Sequence, residues 1–489
     1  MSSNKRGELE KTLGTKDIIA LAFGTMIGWG WIMLAGTWVA TGGSIGAIIA
    51  FGIGAILCVF VGLTYAELTP ALPLAGGELV FSYRSMGYNG SWLCGWMITF
   101  AYIGVACWEG PAFVTAIEFL LGDAASFFQT GYLWSIAGFD VYLVWALFGG
   151  IVSIILSILN FRGVKQVAIF QACATIGLAI GGVCFLVSAL VNGNSEWMFP
   201  AITSSAGISA VILAVPAMFV GFDVIPQAAE EMNFPLKKIP RVLIISICLA
   251  AFWYMFMILA ISLSAPPDFR AESAINGIPV ADSFSYAMGG PIFGKFMIVA
   301  AICGILSSWN GFIIGATRVL FSMGRAKMIP GVFAKLHPTH NTPVAAIVLV
   351  GVLTAVSPLL GKQSLGWFVD ASAFGTVIAY FMVVLSFIIL RKKEPNLARP
   401  FVAPGGMLFG VIALLVSIFF ISLYTPLSPS GGLAIECWYM VLGWLILGIV
   451  FYIIVAIQNK SVTPAERDYL LFGDKYTRFP GEGGAKPRD

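Results

Sequence analysis

The sequence predicts an all-α integral membrane protein of about twelve transmembrane helices, the first and sixth of them broken. Three observations carry that prediction. Hydrophobic residues make up 59% of the 489 and charged residues 10%, for a mean hydropathy of +0.92, far outside the range of soluble domains. Twelve apolar stretches reach or approach the ~20 residues that a helix needs to cross a bilayer. They are residues 17–40, 45–69, 89–121, 141–160, 164–191, 206–229, 242–264, 291–322, 343–360, 366–390, 405–425 and 437–457. Two of these, the first and the sixth, carry helix-breaking residues near their middles.

The basic residues set the expected topology. Of 27 Lys and Arg, only Arg270, Lys295 and Lys362 fall on the outward side if the N-terminus is cytoplasmic, so both termini are expected inside. The net charge of +3 is then a topology signal and no nucleic-acid footprint. Met1–Lys16 is too polar for a cleaved leader, which makes the first span a retained helix of a multi-pass protein of the plasma (inner) membrane. The chain divides into an N-terminal tail (1–16), a core of ten spans (17–390), two further spans (391–460) and a C-terminal tail (461–489). All eight cysteines fall in spans, as small hydrophobes, and the two histidines fall in an inward loop. No cofactor, metal site or disulfide framework is expected.

In chain order, the first span holds Gly24-Thr-Met-Ile-Gly-Trp-Gly30. Each glycine weakens a helix by about 1 kcal/mol relative to alanine. Alone, this run fits either an unwound segment lining a cavity or close packing against a neighbour. The second span ends in Glu67 and a Pro-Gly turn, Pro70–Gly77. In the third, Glu109 lies deep in an apolar run, where an acid is expensive unless paired or hydrated and marks a substrate, ion or proton path; a neutral structural carboxyl is its plain alternative. The fourth and fifth flank the basic turn Asn160–Lys165, and the fifth carries Gln171 and Thr175 but no charge inside the membrane. The sixth repeats the oddity of the first, with Pro216, Gly221, Asp223 and Pro226 in one stretch. Interrupted helices at corresponding positions of two successive five-helix blocks point to a 5+5 inverted-repeat secondary transporter with its site between the repeats. That favours the cavity reading of Gly24–Gly30. Residues 265–290 form the longest outward loop, either a partly helical lid or a passive linker; Asp370-Ala-Ser372 lies in the tenth span, and the last two spans have a scaffold or contact role.

Together these pieces resemble the amino acid–polyamine–organocation (APC) superfamily of transporters. The matching residues are Ile27-Gly-Trp-Gly30; Ala66-Glu-Leu68 with Pro73 and Gly76-Gly77; Gly221-Phe-Asp223 with Ala229-Glu-Glu231, Pro235 and Ile239-Pro-Arg241; and Arg318 with Gly324-Arg325, Pro330 and Thr342-Pro343. The resemblance implies the LeuT-type fold and transport of an amino acid by symport or exchange. It implies that the amides of Thr25, Met26, Ile27, Gly28, Trp29 and Gly30 bind the substrate carboxylate, and that carbonyls of unwound helix 6, with Ala217, Met218, Phe219, Gly221 and Phe222, bind its amino group. A half-helix N-terminus suits an anion and exposed carbonyls suit an ammonium. Phe219, Trp309 and Trp29 are expected to form an aromatic wall opposite Cys107 and Ser372. Glu109, Asp223 and Ser308 are the coupling candidates, and Glu109, Asp223 and Asp370 together would suit a cationic amine instead.

Three positions depart from the superfamily pattern. Ala217 stands where many relatives carry an aromatic gate. Leu178 stands where proton-coupled relatives carry a lysine, leaving coupling open among proton, sodium and exchange. Trp29 replaces a usually small residue. A membrane-embedded enzyme is disfavoured, since no nucleophile–base pair or metal cluster is readable. A channel is disfavoured by paired breaks at one central site.

Overall fold

The computed structural model describes residues 8–136, 138–362, 364–426, 428, 432–459 and 462–478, with Val164 and Lys165 described by backbone alone. The ends of the expected tails, residues 1–7 and 479–489, and the Lys165 side chain of the basic turn lie outside the described residues. The first expected span is two helices, α1 (Thr15–Met26) and α2 (Gly30–Gly42), which meet at 50°. Next come α3 (Ser44–Ala71), α4 (Glu78–Leu121), α5 (Leu143–Arg162) and α6 (Val164–Asn192). The sixth span is α7 (Ser205–Phe219), a turn over residues 220–223, and the one-turn α8 (Val224–Gln227). The second block comprises α9 (Ile239–Ser264), α10 (Pro267–Asn276), α11 (Pro279–Met288), α12 (Pro291–Arg325), α13 (Val344–Val356) and α14 (Ser364–Lys393). Then follow α15 (Met407–Leu423), α16 (Ile435–Gln458) and a final α17 (Pro464–Tyr476).

Among the described residues nine helices are long and apolar enough to cross a membrane, and the bent α1–α2 pair makes a tenth. Shorter apolar helices, Val344–Leu360 and Met407–Leu423, stand at the ninth and eleventh expected spans. The third helix starts at Glu78, before the expected residue 89, because it resumes across a kink at Gly87 whose φ of 76° suits glycine. A small antiparallel hairpin, β1 (Tyr132–Ile136) with β2 (Phe139–Tyr142), lies between α4 and α5 and was not expected from the sequence.

Burial separates centre from rim. The most apolar stretch of α4 is 83% buried, that of α16 only 17%. Helix α4 packs along α12 and α14, and α3 along α7 and α9. On α5 the exposed residues Ile151, Ile154, Ile155 and Ile158 follow the i, i+3, i+4, i+7 spacing of one helix face, an apolar stripe turned outward to lipid. The loop over residues 265–290 is helical, and α10 and α11 both pack on α2. Arg270 on α10 is buried and donates to the carbonyls of Ser262 (2.6 Å) and Trp197 (2.9 Å). It thereby answers a carbonyl in the last turn of α9, the usual place for a cation. Burial pushes its guanidinium down to about 10, so it stays charged at neutral pH.

The opposite end is held by arginines. Arg318 clamps Glu231 with two bonds of 2.8 and 3.1 Å, and Arg325 clamps Glu230 at 3.1 and 3.0 Å. Residues of the N-terminal segment join them. The Leu9 amide donates to Glu230 Oε1 (3.1 Å), and the amides of Thr12 and Leu13 both donate to the Glu231 carbonyl (3.0 Å). Glu67 likewise accepts from Arg391 (2.9 Å) and the Ala403 amide (2.8 Å). Pairing of this kind is what allows carboxylates to be buried at all.

Candidate functional site at the two helix breaks

The two breaks touch. Gly221 has a φ of +131°, and a Cβ there would lie 2.8 Å from the Met26 amide, so the α7–α8 turn lies directly on the end of α1. Gly28 is needed for the same kind of reason: a Cβ on it would fall 2.7 Å from Glu109 Oε1 and 2.8 Å from Ser308 Oγ. Around these breaks lies a cavity of about 30 Å³. It is lined by Thr25, Met26, Gly28, Trp29 and Gly30 from the α1–α2 break, and by Ala217, Met218 and Val220 at the end of α7. Glu109 and Trp108 come from α4, Tyr254 from α9, and Ser308 and Phe312 from α12. Such a volume holds about two waters, so a larger solute needs the lining to withdraw.

Three features of the lining carry charge or partial charge. The start of α2 leaves amides without intrahelical partners and with a partial positive charge, and the end of α7 leaves carbonyls with the opposite charge. Glu109 is 1% exposed, and its Oε2 has no hydrogen-bond partner among the described residues. Other α1 carbonyls are already answered: Tyr254 donates to Met26 (2.8 Å) and Ser307 to Gly24 (2.9 Å).

Of the expected site residues, the structure brings Thr25, Met26, Gly28, Trp29, Gly30, Glu109, Ala217, Met218 and Ser308 together at the cavity. The others lie off it. Phe219 turns away to pack on Tyr254 (centroids 5.8 Å apart), and Phe222 packs between Tyr65 and Tyr380. Trp309 is fully buried beside Gly110. Ile27 is fully buried at the break without lining the cavity, and its amide donates to the Phe23 carbonyl (3.1 Å) while Thr25 and Met26 close the last turn of α1. Of the amides expected to bind a carboxylate, only those of Gly28, Trp29 and Gly30 therefore lie beyond α1. The Cys107 thiol faces the Leu353 carbonyl (3.7 Å), and Ser372 donates within its own helix to Phe368. Gly221 serves through its backbone, donating to Asp223 Oδ1 (2.6 Å). Asp223 also accepts from Tyr102 (2.9 Å) and is absent from the lining; Asp370 is exposed. The expected aromatic wall of Phe219, Trp309 and Trp29 is therefore replaced by Trp29, Trp108, Tyr254 and Phe312, and the expected acidic trio reduces at the cavity to Glu109. Facing residues missed in the sequence are Val105, Trp108, Val220, Tyr254, Phe312, Val369 and Ala373.

Where a lysine was missing, Leu178 is buried and uncharged, and neutral groups knit the helices. Asn160 donates to Asn310 (2.8 Å), Asn310 to Gln171 (2.7 Å), and Thr175 to the Ala20 carbonyl of α1 (3.2 Å).

A family profile described as "Amino acid permease" matches residues 13–452. The chain is 26% identical over 473 residues to a branched-chain amino acid permease of Bacillus subtilis, covering 93% of this chain and 95% of that protein. It is 28% identical over 425 residues to a serine/threonine exchanger of the same organism, covering 84% and 90%. It is also 28% identical over 419 residues to cationic amino acid transporter 4 of Mus musculus, covering 82% and 64%.

Proposed function

The chain belongs to the amino acid permease family, and from that premise we propose that it is a secondary transporter that carries an amino acid across the plasma membrane by alternating access. The observation that carries this reading is the meeting, around one cavity, of the α2 N-terminus, the α7 C-terminus and a buried carboxylate with a free oxygen. An amino acid is complementary to that arrangement at both ends. Its carboxylate sits against the amides at Gly28–Gly30, and its ammonium sits between the carbonyl end of α7 and Glu109. Its side chain extends among Val105, Phe312, Val369 and Ala373, a wall without charge. Symport with a proton or sodium ion, or exchange, moves the solute, and both termini face the cytoplasm. A second reading, a cationic amine without a carboxylate, is favoured by the free Glu109 oxygen alone.

Counterflow in liposomes tests the proposal. Purified protein loaded with one unlabelled amino acid at a time is expected to take up the labelled form of its substrate, with saturation. If only amines lacking a carboxylate exchange, the second reading replaces the first; if neither amino acids nor amines exchange, both fall.

A further inference from the structure

A second polar cluster lies behind the α7–α8 turn, and none of its side chains lines the cavity. Tyr65 from α3, Glu78 and Tyr102 from α4, Asp223, Gln227 from α8 and Tyr380 from α14 are each at most 1% exposed. Asp223 is well supplied, with the Gly221 amide on one oxygen and the Tyr102 hydroxyl on the other. Glu78 is not. The Gln227 side-chain amide donates to its Oε2 and the Tyr65 hydroxyl is its other polar neighbour, while Glu78 Oε1, Gln227 Oε1 and the hydroxyls of Tyr65 and Tyr380 all lack a partner at hydrogen-bond geometry among the described residues. The two carboxylates feel each other's charge. Among the described residues no Arg or Lys forms an ion pair with either, the arginines of that end being engaged with Glu67, Glu230, Glu231 and Glu394. The other titratable groups facing the cluster are Cys94, near the Glu78 carbonyl (3.8 Å), and Cys58 and Tyr424, near Tyr380.

The pattern of orphans is chemically informative. As an anion, Glu78 accepts and cannot donate, so whatever the Tyr65 hydroxyl gives it, the Gln227 Oε1 beside it is left bare in the protein interior, which is costly. A single proton on Glu78 Oε1 supplies the donor that Gln227 Oε1 lacks. The neutral acid donates Oε1–H to Gln227 Oε1 while Gln227 Nε2–H donates to Glu78 Oε2, closing a two-point acid–amide pair. We propose that Glu78 is a proton-binding site whose occupancy sets how α8 docks on the start of α4. The proton comes from water and returns to water, with no other bond made or broken.

The docking surface is close enough for occupancy to matter. A Cβ on Gly77, which has a φ of +36°, would lie 2.9 Å from Pro226 Cβ and 3.1 Å from Gln227 Nε2, so α8 rests directly on the backbone before Glu78. Loss of the proton leaves two like charges and an unanswered amide oxygen at that joint, which favours separation. Helix α8 runs straight into Glu230 and Glu231, whose arginine clamps hold that end of the bundle. Proton release is thereby linked to opening there.

The proton site itself does not rest on the transport reading, but its use in coupling does. Infrared difference spectra of the purified full-length protein, acid minus alkaline, are expected to contain the carbonyl stretch of a protonated carboxylic acid. The band is expected to vanish in Glu78→Gln and persist in Glu109→Gln, and Gln227→Leu should shift it to the frequency of an unpaired acid. A spectrum without the band, a band that survives Glu78→Gln, or one unmoved by Gln227→Leu overturns the proposal. In proteoliposomes under an acid-outside gradient, one proton per solute gives about tenfold accumulation per pH unit. Glu78→Gln is expected to reduce this to equilibration, with an exchange rate that no longer changes with pH. Accumulation that disappears when choline replaces sodium, or that persists in Glu78→Gln, overturns the coupling role. A wild-type protein that shows the band but exchanges no amino acid sinks the transport reading and leaves the proton site standing.

Discussion

At the scale of single residues, Glu109 and Gly28 divide the work of the cavity. Glu109 is a buried acid with a free oxygen, and an ammonium beside it would be joined by a charge-assisted hydrogen bond of about 1.5–3 kcal/mol. Glu109→Gln is therefore expected to weaken amines by roughly 10- to 100-fold, and neutral amino acids less, by competition against labelled substrate. Unchanged selectivity and an unchanged pH profile would leave Glu109 a structural role only. Gly28→Val places methyl groups where Glu109 and Ser308 already crowd the Cα, and is expected to abolish binding while the protein remains monodisperse in detergent. Wild-type affinity in that variant would remove the break from the site. Glu109 was legible in the sequence because an acid in an apolar run is conspicuous; its neighbours were legible only in principle. From Glu109, helical periodicity selects Val105 and from Val105 it selects Trp108, and from Ser308 it selects Phe312. Cys107 and Trp309, chosen by residue type, fall on other faces of the same helices.

The helices themselves show what composition can and cannot say. Gly24–Gly30 and Pro216–Pro226 announced both breaks, since apolar segments with helix breakers need a reason. They did not announce that Gly221 would press on the Met26 amide, because close approach depends on how two distant segments cross. Nor did they announce that Asp223 would be consumed by Gly221 and Tyr102, which takes it out of the cavity. The hairpin of β1 and β2 was hidden in a stretch of mixed polarity too short to display a period. Helices α10 and α11 illustrate the reverse case. Arg270, an exception to the charge asymmetry, is explained by the carbonyls it meets at the end of α9. Arg270→Ala leaves those carbonyls to water or to nothing and is expected to lower the thermal midpoint, whereas an exposed charge such as Lys295 changed to Ala should leave it within error. Equal midpoints would deny α10 any hold on α9. In the same spirit, cysteine placed at Trp108 or Phe312, in a background lacking native cysteines, should be shielded by substrate from a water-soluble thiol reagent. Cysteine at Phe219 or Trp309 should not.

For the whole molecule, the two ends are built from different materials. One is roofed by α10 and α11, and the other is tied by buried Arg–Glu clamps. Removing one partner from such a pair leaves a buried charge without an answer, commonly 3–5 kcal/mol. Arg318→Gln is expected to favour opening at the clamped end, read as faster thiol labelling there and as a higher leak of substrate down its gradient. An unaltered labelling rate would show that the clamp is only structural. The succession of apolar helices was readable from hydropathy, while the clamps were visible only as scattered charges near span ends, since pairing across more than eighty residues leaves no local pattern.

The N-terminal segment has a further consequence. Lys11 is exposed, yet the amides of Thr12 and Leu13 that follow it are bound to the Glu231 carbonyl. A protease cannot draw that backbone into an extended strand until those bonds break, so trypsin meets a cleavable Lys11 only while the segment is detached. The cut rate at Lys11 then counts the time the molecule spends unlatched. A solute that holds the carrier shut slows the cut, one that draws it open speeds it, and a gel with no label and no vesicle becomes a ledger of states.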